Sequence, residues 1–206
     1  MDSNEAHRSE AHHAVSDAAL DALFREAHTS RKWLDRKVSP ALLMAIYDLM
    51  RWGPTATNIT PARIVFVMSP EAKARLKPHL DAGNVRQSME APVTAILGYD
   101  LEFARQLPKL YRDNLNAQSW FTDQQANKVL ALRNGSLQGG YFILAARALG
   151  LDCGPMGGFS HDRIDAEFFA GTQIKSNFLC NLGYGAPGGW RVRNERLSFD
   201  EACKIV

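Results

Sequence analysis

Two short segments concentrate polar groups where a ligand can meet them. Gly53-Pro54-Thr55-Ala56-Thr57-Asn58-Ile59-Thr60-Pro61 offers hydroxyls and an amide in a turn-rich stretch. Gly154-Pro155-Met156-Gly157-Gly158-Phe159 offers small residues that leave backbone N–H groups open to a neighbour. Such segments hold ligands when a rigid scaffold positions them, and are otherwise ordinary connections. Basic side chains gather at Arg31-Lys32 and again at Arg191, Arg193 and Arg196. Guanidinium forks match phosphate geometry; a solvated face is the plain alternative.

Self-sufficient chemistry is harder to assemble. No GxSxG, HExxH or Walker pattern occurs. Gly183-Tyr184-Gly185-Ala186-Pro187-Gly188 matches GxGxxG, but no helix pattern opens at its last glycine to hold a pyrophosphate, so it is not a dinucleotide fingerprint. Asp162 and Asp165, one turn apart, read as a solvated helix face, with His161 as a first-turn residue. His7, His12 and His13 lie in a polar tail with no apolar residues to fix them as ligands. Cys153, Cys180 and Cys203 form no CxxC pair and fit three buried or semi-buried thiols in a reducing cytoplasm. A bound cofactor is therefore the expected source of chemistry.

The elements that must position these groups have clear punctuation. Ser16 caps a helix with Leu20, Leu23, Phe24 and Ala27 on one face, and Ser39-Pro40 opens another that Gly53-Pro54 stops. Ile64–Met68 predicts a strand, Ser69-Pro70 a helix ending near Pro78, and Val93–Tyr99 a buried strand. Thr122 with Gln125 suggests a capping box before the longest helix, which Gly150 ends. Gly135, Gly139 and Gly140 inside it imply close approach of a backbone or flat ligand, or simply a weak helix. Leu151–Phe159 reads as a loop, Ser160 as a helix cap, Asn177–Leu182 as a strand, and Ser198 with Glu201 as a final capping box. The order predicts a mixed α and β protein with more helix than strand.

Composition narrows the class. The 206 residues carry 24 Lys and Arg against 22 Asp and Glu, a net charge of +2, too little for nucleic-acid binding without a dense patch. At 46% hydrophobic and 22% charged residues, disorder is excluded as the main state. No apolar run reaches membrane-spanning length, and the polar start lacks a signal core, so a cytoplasmic protein is expected. The reading is a mobile tail over residues 1–15 and one domain over 16–206.

In this order, the segments resemble the flavin-dependent nitroreductase family from about Leu20 to Val206. Trp52-Gly53-Pro54-Thr55-Ala56-Thr57-Asn58 with Pro61 is similar to its Pro-Ser-Ser-x-Asn-x-Gln-Pro loop. Ala148-Leu149-Gly150-Leu151 leading to Pro155-Met156-Gly157-Gly158-Phe159 is similar to its flavin-covering loop, and Asn181-Leu182-Gly183-Tyr184-Gly185 with the later arginines fits its ending. Trp-Gly-Pro-Thr, Pro-Ala-Arg-Ile-Val-Phe and Ala-Pro-Val-Thr-Ala-Ile resemble one subgroup, the malonic semialdehyde reductases of the Rut pyrimidine-degradation pathway.

The resemblance implies an α+β fold with a mixed, mostly antiparallel sheet in an interlocked homodimer, and FMN at the subunit interface. It implies that His28, Thr29 and Arg31 hold the flavin phosphate and ring edge, and that Arg191 and Arg193 reach the phosphate. Thr55, Ala56 and Asn58 would line the flavin from the partner subunit, with Asn84 and Gln87 at the pyrimidine end and Asn134 at a further polar contact. Pro155, Met156, Gly157 and Gly158 would cover the ring. The sequence departs from the family where Ala27 replaces a first arginine, Gln87 a frequent lysine and Gly157 an acidic residue. The activity implied is reduction of malonic semialdehyde to 3-hydroxypropionate with NADH or NADPH as hydride donor; Arg63 and Arg86 are candidates for the substrate carboxylate. The alternatives are a broad nitro or quinone reductase, or a flavin-binding protein without turnover.

Overall fold

The computed structural model describes residues 14–206; the three tail histidines and most of the expected tail lie outside the described residues. Serine caps set the early helices. Ser16 accepts from Ala19 N at 3.2 Å and starts α1 (Asp17–Leu20), which widens into a π-helical turn, Asp21–Arg25. Ser39 and Ser69 cap α2 (Pro40–Met50) and α3 (Pro70–Leu76), each with proline in the first turn, where its missing N–H loses nothing. A 3₁₀ turn containing Pro78 closes α3. Next comes α4 (Ala82–Glu90), a helix with no apolar stripe to announce it in the sequence, followed by the short α5 (Leu107–Leu110).

The long helix α6 (Gln124–Ala148) starts one residue later than the Thr122 pattern predicts. Asp123 is the cap, its carboxylate accepting from Gln125 N and Ala126 N at 2.9 and 3.1 Å. Gly150, at φ +78°, ends it in the left-handed conformation that glycine adopts without strain. The chain finishes with α7 (His161–Phe168) and α8 (Phe199–Ala202), the latter with the Ser198–Glu201 capping box in place.

Four strands make one antiparallel sheet in the order β1-β2-β4-β3: β1 (Ala62–Val67), β2 (Val93–Asp100), β3 (Asp152–Met156) and β4 (Ile174–Gly183). The architecture is the expected α+β class. One expectation is corrected: residues 152–156 are a strand rather than part of a loop. Pro155 sits opposite Cys180 on an edge strand, where a missing N–H costs no second ladder.

The central strand β2 is buried on both faces, hence a run from Val93 to Tyr99 that is apolar but for Thr94. Ala95 and Leu97 face Phe142 and Ala146 of α6 together with Ile46 of α2, whereas Ile96 faces Leu76 of α3 and Ile164 of α7. Gly135 and Gly139 let α6 lie close on the sheet. A Cβ at 135 would stand 2.9 Å from Tyr99 Cβ, and one at 139 would stand 2.5 Å from the Phe178 ring. At Gly140 nothing lies within 4 Å.

Candidate functional site

After α1 the chain runs along the edge strand β3. Ser30 N donates to Cys153 O at 2.9 Å, and Thr29 bridges Cys153 in parallel sense. Glycine is required at 154, because a Cβ there would lie 2.7 Å from the Ser30 carbonyl oxygen. At the far end of this ribbon, Trp33 Nε1 donates to Gln87 O at 3.0 Å. Residues 28–33 thus join two groups of polar side chains, one at each end.

The first group is a basic cleft of about 390 Å³, whose lining includes His28, Thr29 and five arginines, 31, 147, 191, 193 and 196, with no carboxylate. The C-terminal segment forms its second wall: Arg31 N donates to Gly189 O at 2.8 Å, and the His28 and Trp190 rings stack at 6.0 Å. Arg193 is committed within the chain. Its Nη2 donates to Arg25 O and Ala27 O at 2.7 and 2.8 Å, so it caps the carbonyls left open where the first helix ends. Arg147 Nη1 donates to Leu23 O at 2.9 Å, while its Nε is buried without a hydrogen-bond partner.

The second group joins α4 to the end of β3. Gln87 Nε2 donates to Asn84 Oδ1 at 2.6 Å, and Asn84 Nδ2 donates to Gly158 O at 2.9 Å. A Cβ at 158 would meet Asn84 Nδ2 at 2.5 Å, so glycine permits this closure; at Gly157 nothing lies within 4 Å. Ser88 Oγ contacts Met156 Sδ at 3.5 Å. Below lies a buried network: Lys73 Nζ donates to Ser88 O and Thr94 Oγ1 at 2.6 and 2.7 Å, and Thr94 Oγ1 donates to Asn181 Oδ1 at 2.7 Å. Burial lowers the Lys73 pKa to about 7. The Cys180 thiol is held well above its usual pKa by hydrogen bonding with Cys153 and by burial, so it is no thiolate nucleophile; Cys203, expected buried or semi-buried, is exposed just past α8.

The loop bearing Thr55, Ala56 and Asn58 stands apart, bordering a separate depression of about 440 Å³ with Trp52, Lys109 and Gln138. Two amides one turn apart on α6 pin it: Asn134 Oδ1 accepts from Ala56 N, and Gln138 Oε1 from Ala62 N, both at 2.9 Å. Thr57, Asn58 and Thr60 have φ of 51°, 50° and 35°. Such left-handed residues cost about 1–3 kcal/mol each and persist where the surroundings over-determine them.

The structure therefore brings His28, Thr29, Arg31, Arg191 and Arg193 to one end of the ribbon. It brings Asn84, Gln87, Pro155, Met156, Gly157 and Gly158 to the other. Thr55, Ala56 and Asn58 meet neither end within the chain, and Asn134, buried with both ends of its amide engaged, anchors their loop. Arg63 is committed to Asp100 at 2.8 Å and to two backbone carbonyls, so it is not free for a substrate carboxylate. Asp165 is no solvated face residue: it accepts from Ser176 N at 2.7 Å and pairs with Lys175 at 3.3 Å. Sequence reasoning missed Arg147, Gln138 and Lys73. The amide pair at 134 and 138, at helical spacing beside glycines, was the one signal available.

The fold and the ribbon 28–33 define an α+β protein with a cationic cleft at one end of a strand edge and amides at the other. A profile of the Nitroreductase family matches residues 24–184. A relative from Stenotrophomonas maltophilia (strain K279a), provisionally named NADH dehydrogenase/NAD(P)H nitroreductase, is 58% identical over 195 residues, covering 94% of this chain and 99% of the relative. A like-named relative from Caulobacter sp. (strain K31) is 55% identical over 192 residues, covering 93% and 98%. Among solved structures, a provisionally named nitroreductase from Exiguobacterium sibiricum 255-15, in complex with FMN, superposes with a TM-score of 0.82 at 21% identity, covering 94% of this chain and 99% of that one. The enone reductase CLA-ER, from gut-bacterial fatty acid saturation metabolism, gives 0.80 at 18% identity, covering 94% and 100%. The chain belongs to the Nitroreductase family.

Proposed function

We propose that this protein is an FMN-dependent NAD(P)H oxidoreductase that works as a homodimer. The observation that carries the reading is the ribbon 28–33 with a carboxylate-free arginine cleft at one end and the Asn84–Gln87 amides at the other. A phosphorylated planar ligand fits that pairing: the cleft leaves Arg147 Nε buried without an acceptor. The names of the relatives and the FMN-bound fold neighbour support the same reading.

FMN, when bound, supplies two-electron transfer between a nicotinamide and a second substrate. His28, Arg31 and Arg191 would hold its phosphate. Asn84 and Gln87 would take the pyrimidine edge, and residues 155–158 would lie against the ring. A guanidinium or amide near developing negative charge stabilises it without reorganising at the moment of reaction. The glycine at 157, with nothing within 4 Å of a Cβ position, leaves room for a small substrate.

For the second substrate we propose malonic semialdehyde, reduced to 3-hydroxypropionate. Support comes from the subgroup resemblance and from Arg86, an exposed cation on α4 that makes none of the ion pairs among the described residues. A second reading, a broad nitro or quinone reductase, is favoured by the names of the relatives. The visible spectrum of natively purified protein tests the cofactor: bound FMN that NADH or NADPH bleaches is expected, and a colourless protein that takes up no added FMN overturns the reading. Turnover of malonic semialdehyde well above that of a nitroaromatic is expected; the reverse order establishes the second reading.

A further inference from the structure

We propose that Arg147 is a phosphate-recognising residue of the basic cleft, and that it makes the site prefer FMN to riboflavin. This rests on the FMN reading above.

Arg147 lies in the last turn of α6 and reaches the cleft from a different element than His28, Arg31 and Arg191. One of its donors is used structurally, Nη1 to Leu23 O at 2.9 Å, which ties α6 to the π-helical turn. That tie does not account for Nε, which is buried with no acceptor in reach. No carboxylate pairs with it: none lines the cleft, Glu26 and Asp152 border a smaller hollow on the other side of Arg147, and no ion pair among the described residues includes it. A buried donor left unsatisfied carries its full desolvation penalty, larger when the group is charged. A ligand with several anionic oxygens removes that penalty, and a planar guanidinium fork suits a phosphate.

The neighbours point the same way. Arg193 has turned its Nη groups onto the carbonyls at the end of the first helix, so it brings less donor capacity to an anion than its place in the cleft suggests. Arg31 and Arg191 are exposed. The buried portion of Arg147 has already lost water, and the pairing it makes with an anion is correspondingly stronger. A phosphate monoester occurs both in FMN and as the 2′-phosphate of NADPH. The cleft adjoins the ribbon that leads to the amide end, which favours FMN.

The test measures dissociation constants for FMN and riboflavin by flavin fluorescence, with apoprotein of the wild type, Arg147→Met and Arg147→Lys at fixed salt. Wild type is expected to prefer FMN; wild type that binds neither flavin overturns the FMN reading itself. Arg147→Met is expected to weaken FMN roughly 10- to 100-fold, the size of a charged hydrogen bond, and to leave riboflavin within about twofold. Arg147→Lys keeps the charge without the fork and is expected to fall between. Equal weakening of both flavins shows a structural tie through Leu23 and overturns the proposal. So does unchanged FMN binding, including the case where only the KM for NADPH, and not for NADH, rises. If Arg147→Met does not fold, the ratio of FMN to riboflavin affinity in Arg147→Lys decides: a reduced ratio supports the proposal and an unchanged one overturns it.

Discussion

At the scale of single residues, the least expected group is Lys73. It is buried between α3, α4 and β2 with neutral partners only, Ser88 O and Thr94 Oγ1, and makes none of the ion pairs among the described residues. Desolvation disfavours its ammonium form and lowers the pKa to about 7. Between pH 7 and the ordinary lysine range, the unfolded chain therefore holds a proton that the folded chain has released. Stability rises with pH across that window. Below about pH 7 both states are charged, and the burial penalty is present in full without further slope. Each pH unit inside the window is worth at most about 1.4 kcal/mol. From pH 7 to pH 9 the wild type is expected to gain about 2 kcal/mol relative to Lys73→Met, read from urea midpoints at the two pH values. A difference between the two proteins that does not change with pH shows instead that the short bonds to Ser88 and Thr94 keep the ammonium charged.

At the scale of elements, α6 organises the molecule, and its glycines do so by absence of volume. Gly139→Ala would drive a methyl into the Phe178 ring at 2.5 Å, and overpacking of this kind costs about 1–3 kcal/mol. Gly140→Ala meets nothing within 4 Å and is expected to stabilise by up to about 1 kcal/mol through helix propensity. Chemical denaturation of the two adjacent variants checks both signs. The sequence offered the glycines but not their partners, because Tyr99 and Phe178 lie on strands far away in the chain. Caps were readable wherever a serine preceded a proline or an apolar stripe, as at Ser39 and Ser69. Two elements were not. α4 buries only Ser88 completely and has no stripe, and β3 hides its strand character behind Gly154-Pro155, tolerated because it is an edge. In the candidate site, the loops 53–61 and 154–159 could be singled out by resemblance. Arg147 and Lys73 were not, since a lone basic residue in a helix has no local signature until tertiary packing removes its water.

At the scale of the whole molecule, the chain leaves apolar surface uncovered. Met44 and Tyr47 on α2 are 63% and 51% exposed, and they border an apolar groove of about 790 Å³ with Leu43, Ile64 and Phe66. The C-terminal segment beyond Trp190 is exposed throughout, yet it carries the capped helix α8, with Phe199 59% exposed. Contiguous apolar surface of this kind fits the interface of the proposed homodimer, in which the loop bearing Thr55 and Asn58 would reach the ribbon 28–33 from the second copy. Met44→Glu places a charge in that groove. Within the protomer an exposed substitution of this sort changes stability by less than about 0.5 kcal/mol, whereas in an interface it buries an unpaired carboxylate. The wild type is expected to elute at twice 22.9 kDa, and Met44→Glu to shift toward 22.9 kDa with unchanged circular dichroism. Light scattering coupled to gel filtration reads the masses. If α2 and the loop 53–60 act together through the dimer, FMN retention falls with the loss of the second copy, although Met44 lines neither the basic cleft nor the ribbon 28–33. A variant that remains dimeric with full FMN content would show that this face of α2 looks onto solvent and that the second copy docks elsewhere.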